Sequence, residues 1–121
     1  MDIRIGPGAD LRYANLSGME LAFCDLSGAD LSSAYLIQAN LFRAVLTGAD
    51  IRYCRGDGIT IRNIDGMDYV IVYTKDTLAI ESEQHSIEYW KNLSTDDEFW
   101  IEYRTEILTK IEVAFSNGNE T

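Results

Sequence analysis

The sequence predicts a solenoid carrying a non-repeating C-terminal appendage within 121 residues. Two observations lead there. A five-residue beat runs without a slip through residues 9–53, as ADLRY, ANLSG, MELAF, CDLSG, ADLSS, AYLIQ, ANLFR, AVLTG and ADIRY. After Gly66 the beat stops, and a β-branched run is followed by apolar residues at spacings of three and four. A fixed period over many units marks an architecture in which each unit buries its apolar side against stacked neighbours. An α-helix needs a period of 3.6 and a half-buried strand a period of two. A strict five suits a chain that turns a corner every five residues and sends two side chains inward each time.

The third residue of each unit is Leu11, Leu16, Leu21, Leu26, Leu31, Leu36, Leu41, Leu46 or Ile51. Two residues earlier sits alanine at 9, 14, 29, 34, 39, 44 and 49, with Met19 and Cys24 as exceptions. This A-(D/N)-L-x-x pattern resembles the pentapeptide-repeat family over about 45 of the 121 residues. The resemblance implies a β-solenoid: a right-handed quadrilateral β-helix with four units, or twenty residues, per coil. In such a coil the central leucines stack into an apolar column, alanine fills the other narrow inward position, and three positions face solvent. Burial of each leucine contributes roughly 1.5–3 kcal/mol.

A twenty-residue turn sets the outward residues in register. Asp10, Asp30 and Asp50 share one face, with Arg12, Ser32 and Arg52 and with Tyr13, Ser33 and Tyr53 beside them. Asn15, Tyr35 and Arg55 share the second, Glu20, Asn40 and Thr60 the third, and Asp25, Val45 and Asp65 the fourth. The inward small position grows to Cys54, Ile59 and Ile64, and Gly56 stands where a central leucine belongs. Residues 59–66 are therefore expected to form a degenerate last coil or a transition. Residues 1–66 read as the β-helix, with regular repeats at 9–53, and residues 67–121 as a C-terminal cap. Gly6-Pro7-Gly8 reads as an opening turn.

Within the cap, residues 69–73 are rich in β-branched and aromatic side chains and read as a strand, with residues 78–80 pairing back. Such a pair would cover the open end of the coil, whose edge is otherwise a template for aggregation. Ser86 can cap a helix over residues 87–92 that buries Ile87, Trp90 and Leu93. Thr95 with Glu98 fits a capping box, and Asp96 and Asp97 favour the same helix start. That helix runs to Phe115, with an apolar stripe of Phe99, Trp100, Tyr103, Ile107, Leu108, Ile111 and Phe115. Residues 116–121 read as a disordered tail. The segments 84–90 and 94–98 are similar to tails that follow short pentapeptide repeats in phage and prophage proteins, which implies a mobile-element origin.

The net charge of −10 is uneven. Residues 1–66 hold eight acidic and six basic side chains, for −2; residues 67–121 hold twelve and four, for −8. Direct nucleic-acid binding is disfavoured, because phosphate contacts need clustered Lys and Arg. An acidic surface that competes with nucleic acid for a basic site on another protein is allowed. The sequence shows no secretion signal and no apolar run long enough for a bilayer, so a cytoplasmic, membrane-free protein is expected. Cys24 and Cys54 sit on different faces and read as free buried thiols, and three Asn-x-Ser/Thr sequons (Asn15, Asn92, Asn119) read as accidental without secretion.

Each candidate site has two readings. The ladder of Asp10, Asp30 and Asp50 could offer carboxylates at the coil spacing of about 4.8 Å to a basic partner. It could equally be held by turn hydrogen bonds and by Arg12 and Arg52. Glu102, Glu106 and Glu112 form the acidic side of the last helix and extend the candidate partner surface. Phe99, Trp100, Tyr103, Ile107 and Phe115 could pack wholly on the coil end, or partly against a second copy as a homodimer interface. Lone His85 is expected to orient the first helix turn by a hydrogen bond. With no triad, zinc set, nucleophile elbow or phosphate loop, no enzyme, metal or cofactor is expected.

The family also includes longer proteins, among them the quinolone-resistance type, that imitate a DNA duplex and bind gyrase. What the resemblance implies here is a non-enzymatic, acidic, phage-type inhibitor or DNA mimic that binds a host nucleic-acid-acting enzyme or defence factor. The alternative is a plain interaction scaffold or dimerisation module. The gyrase version is disfavoured: about 2.25 coils span roughly 11 Å, and the coil faces are near neutral.

Overall fold

A computed structural model describes residues 4–116 of the chain. Parallel bridges join Asp10 to Asp30 and Asp30 to Asp50, Asn15 to Tyr35 and Tyr35 to Arg55, Glu20 to Asn40, and Asp25 to Val45. Every bridge spans twenty residues, and the four series start five residues apart. Each carries two backbone hydrogen bonds, as where Asp30 N–H donates to Ala9 C=O and Leu11 N–H to Asp30 C=O, both 2.9 Å. Each corner closes with a bond between residues three apart, such as Ala14 N–H to Leu11 C=O at 3.1 Å. The residue just before the closing donor holds a positive φ, as in a type II turn.

The column is built from the predicted side chains. Leu11, Leu16, Leu21, Leu26, Leu31, Leu36, Leu41 and Ile51 are buried, while Leu46 is only half-buried. Met19, too large for the alanine position, stays exposed, and Cys24 is half-buried. Both cysteines are free thiols, and burial pushes Cys54 up to about 12.

The coil ends differently from the expected gradual decay. Ile59 is half exposed rather than inward, and Ile61 enters the column instead. The chain crosses the coil end so closely that a Cβ on Gly56 would lie 2.0 Å from the Ile61 carbonyl oxygen. Glycine at 56 is therefore a condition of the crossing. The Asp57 carboxylate holds the turn by accepting from Thr60 N–H (3.2 Å) and Ile61 N–H (2.7 Å).

Four short strands follow as an antiparallel meander: β1 (Arg62–Ile64), β2 (Ile71–Tyr73), β3 (Thr77–Ile80) and β4 (Glu83–Ser86). Only β2 and β3 were expected, and Tyr69 and Val70, placed in the first of them by sequence, are exposed outside it. Side chains alternate across a strand, and the register pairs Val72 with Ala79 and Tyr73 with Leu78. Val72 and Ala79 join the leucine column, while Ile71, Tyr73 and Leu78 face a second core. The sheet thus forms a partition between coil and helices.

Helix α1 (Ile87–Lys91) starts at Ser86, whose hydroxyl accepts from Tyr89 N–H at 3.1 Å, as anticipated. Helix α2 (Glu98–Ser116) is capped by Asp97 rather than by Thr95: the Asp97 carboxylate accepts from Trp100 N–H at 2.9 Å. Thr95 serves one step earlier, accepting from Asp97 N–H at 3.1 Å. The expected disordered tail falls mostly outside the described residues, and Ser116 itself is the last residue of α2. Among the described residues, no helix is long and apolar enough to cross a membrane.

Candidate interaction surfaces

The aspartate ladder forms as the register requires, but its charges are spent locally. Asp10 accepts from Arg12 Nε (2.8 Å) and Nη2 (2.9 Å), and Asp50 from Arg52 Nε (2.9 Å) and Nη2 (2.7 Å). Asp30 accepts from the Ser32 hydroxyl at 2.6 Å, with Arg12 Nε 3.8 Å away. Each also accepts the backbone N–H two residues on, at 3.0–3.3 Å, a turn that pins the carboxylate to its own corner. The Arg12 side-chain hydrogen bonds hold the Asp10 carboxyl below its ordinary range. At Asp50 burial acts to raise the value, and the Arg52 hydrogen bonds and charge together outweigh it and lower the group. A ladder paired in this way is turn chemistry first and an anionic surface second.

The corners carry the less expected feature. Glycine holds the positive-φ position at 8, 18, 28 and 48, yet Tyr13 (φ 62°), Phe23 (64°), Ser33 (60°), Gln38 (62°), Arg43 (55°) and Tyr53 (61°) hold the same conformation. Tyr13 is 75% and Phe23 67% exposed. Phe23 meets Phe42 edge-on at 5.5 Å, and the Arg43 guanidinium lies 5.5 Å from the Phe42 ring. The twenty-residue register places Tyr13, Tyr35 and Tyr53 on the outer faces, and all three are exposed, as is Phe42. Phe23 was not singled out, although its place at the fifth position of its unit is the signal that finds it.

On the cap, the structure divides the proposed dimer stripe. Trp100 and Ile107 are buried in the chain's own second core, so a second copy cannot reach them in this conformation. Phe99, Tyr103 and Phe115 are half-buried against the same core: Phe99 meets Tyr69 at 4.3 Å and Phe115 meets Tyr73 at 6.1 Å. Trp90 donates its indole N–H to Leu78 C=O at 2.7 Å, whereas buried Trp100 Nε1 has no acceptor. Glu102, Glu106 and Glu112 are exposed, and none makes an ion pair among the described residues. At 100° per residue Glu102 and Glu106 share the outermost face of α2, while Glu112 lies on a flank beside Ile101.

His85 does not orient α1 by a hydrogen bond. Its ring stacks on Tyr89 at 3.8 Å, and its Nε2 lies 3.5 Å from the Glu83 carboxylate. Among the described residues, no group of three or more His, Cys, Asp or Glu is placed to hold a metal ion.

At the C-terminal rim of the coil two carboxamides replace a missing turn. Gln84 Nε2 donates to Ala49 C=O (2.7 Å) while its Oε1 accepts from Ile51 N–H (2.8 Å). Asn63 Nδ2 donates to Cys54 C=O (2.8 Å) while its Oδ1 accepts from Gly56 N–H (2.9 Å). Each side chain does what the N–H and C=O of a next-coil residue would do. Sequence reasoning missed both, since nothing in a polar strand or a degenerate repeat marks one carboxamide as a cap.

Residues 24–55 match the family model described as pentapeptide repeats in eight copies. No curated protein and no solved structure matches the chain.

Proposed function

As a chain carrying pentapeptide repeats, this protein is, we propose, a non-enzymatic protein-binding module: a rigid right-handed quadrilateral coil that offers aromatic corners to a partner and is closed at one end by a helical cap. The observation that carries the reading is the choice of residue at Tyr13, Phe23 and Tyr53. A non-glycine residue in left-handed backbone costs of order 1–3 kcal/mol. These three positions bear that strain and also expose aromatic rings. Coverage by another molecule would take the exposed rings out of water, the anchor role aromatic residues fill at interface centres. A protein partner is favoured over nucleic acid because Arg12, Arg52 and Arg55 are occupied by Asp10, Asp50 and Asp65.

The test is Tyr13→Gly. The variant is expected to keep its stability or gain up to about 1 kcal/mol as the strain is released, while its complex with an affinity-purified partner weakens about tenfold or more. Lost stability with unchanged binding would make the corner structural and overturn the reading.

A second reading has its own support. The cap bears −8, and its exposed Glu102, Glu106 and Glu112 stay uncompensated. That favours an acidic inhibitor acting in a host cytoplasm on a nucleic-acid-acting or defence protein, with the cap rather than the paired Asp ladder as the mimic. Such a complex would weaken steeply with salt, whereas one anchored by corner aromatics would not. A homodimer through α2 would draw on exposed Ile101 and Val113.

A further inference from the structure

Four backbone pairs face the C-terminal end of the coil, one on each side. Each consists of the carbonyl at an alanine position and the N–H at a leucine position, the groups that would receive the next coil. On the first and second sides Gln84 and Asn63 fill them. On the third, the pair belongs to Ala39 and Leu41, both buried residues. The fourth pair is Ala44 C=O and Leu46 N–H. One coil below, the equivalent pair is bridged by Val45, which donates to Cys24 C=O at 2.9 Å and accepts from Leu26 N–H at 2.8 Å. The Ala44 and Leu46 groups have no such partner among the described residues, and both residues are half-buried. They line a cleft of about 530 Å³ together with Thr47, Thr74, Thr77 and Phe115.

We propose that this cleft binds the extended backbone of a partner polypeptide, one residue of which donates its N–H to Ala44 C=O and accepts at its own C=O from Leu46 N–H. The inference deepens the protein-binding reading and rests on it. Wherever this molecule fills an equivalent pair, the occupant sets an amide N–H and an amide C=O side by side, from one residue's backbone as at Val45 or from a primary carboxamide as at Gln84 and Asn63. That requirement selects a peptide group over a charged or purely apolar ligand. The rim bears one cation, Lys75, and one carboxylate, Asp76, so it asks for no net charge and complements a neutral dipole. The volume lies within the usual range for ligand clefts, and the hydroxyls of Thr47 and Thr77 can meet further backbone groups. A second coil cannot be the occupant by end-to-end stacking, because two of the four sides are already closed by Gln84 and Asn63. What fits is a single strand, added as in β-augmentation.

Amide hydrogen exchange on the full chain tests this. In the free protein Leu46 N–H is expected to exchange near the unprotected rate, while Ile51 and Gly56 N–H are slowed by their carboxamide partners. Saturating acetyl-Thr-Val-Thr-Val-Thr-amide should slow Leu46 by about tenfold or more, and the same peptide N-methylated at every residue should leave it unchanged. No slowing at Leu46 by the unmethylated peptide overturns the proposal. So does a Leu46 N–H already protected in the free chain: protection independent of protein concentration would assign the edge to residues 117–121, and concentration-dependent protection to a second copy. The two readings separate cleanly. A partner lost on Tyr13→Gly with Leu46 indifferent to peptide removes only this inference; Leu46 protected by peptide with no effect of Tyr13→Gly removes only the corner reading.

Discussion

In the coil, every unit finds its hydrogen-bond partners twenty residues away, and leucine and alanine supply most of the core. In the cap, the buried side chains are isoleucine, leucine, tyrosine and tryptophan, drawn from three strands and two helices in no repeating order. The coil gains regularity and gives up the freedom to relax, since its ladder fixes the height of every layer. The cap packs irregular rings and tolerates local defects, including an indole N–H without an acceptor. Val72 and Ala79 belong to the leucine column although they lie in the sheet, so the two styles of packing meet at one partition.

The sharpest way to break the comparison is a cavity in mid-column. Leu31→Ala removes a fully buried side chain from a layer that cannot collapse, and is expected to cost about 4 kcal/mol, toward the upper end for such changes. Urea unfolding measures it, and a loss under about 2 kcal/mol would mean that the column relaxes after all. Next comes the junction. Gln84→Ala strips the partners from Ala49 C=O and Ile51 N–H and should cost about 2 kcal/mol, with Ile51 N–H exchange rising to match. Unchanged Ile51 exchange would show that the carboxamide is dispensable. The smallest effect is expected in the cap. Trp100→Phe gives up ring volume but removes the orphaned donor, and the two changes should leave stability within about 1 kcal/mol of the parent. A larger loss, read by the same unfolding curves, would reveal an acceptor for Trp100 Nε1 in solution.

The same contrast governs how much could be read from the letters. Leu11 to Ile51 were legible because their inwardness is repeated in every unit, and one odd unit hardly disturbs the inference. Leu46 departs from it for a reason no repeat can announce: the coil above its side is missing. Ile61 replaced Ile59 because the chain leaves the coil by a short cut over Gly56, and only tertiary closeness distinguishes the two isoleucines. In the cap, Ser86 was readable as a local cap, while Asp97 displaced Thr95 because both can serve and the helix begins two residues later. Strands β1 and β4 were hidden by their polarity. Both are edge strands of the meander, held by pairing with β2 and β3 rather than by an apolar pattern of their own. Of the candidate surfaces, the Asp10, Asp30 and Asp50 register was predictable and its neutralisation was one of two open readings. The burial of Trp100 and Ile107 depends on a partition that sequence could not draw.

Asn63 and Gln84 touch only the last rim of the coil, so the ending they provide is blind to what lies beneath it. A rod lengthened or shortened by whole twenty-residue increments would present an identical rim to the same two side chains. Reach and termination can therefore vary independently in descendants of this chain, with the lid kept as a fixed part while the number of storeys under it changes.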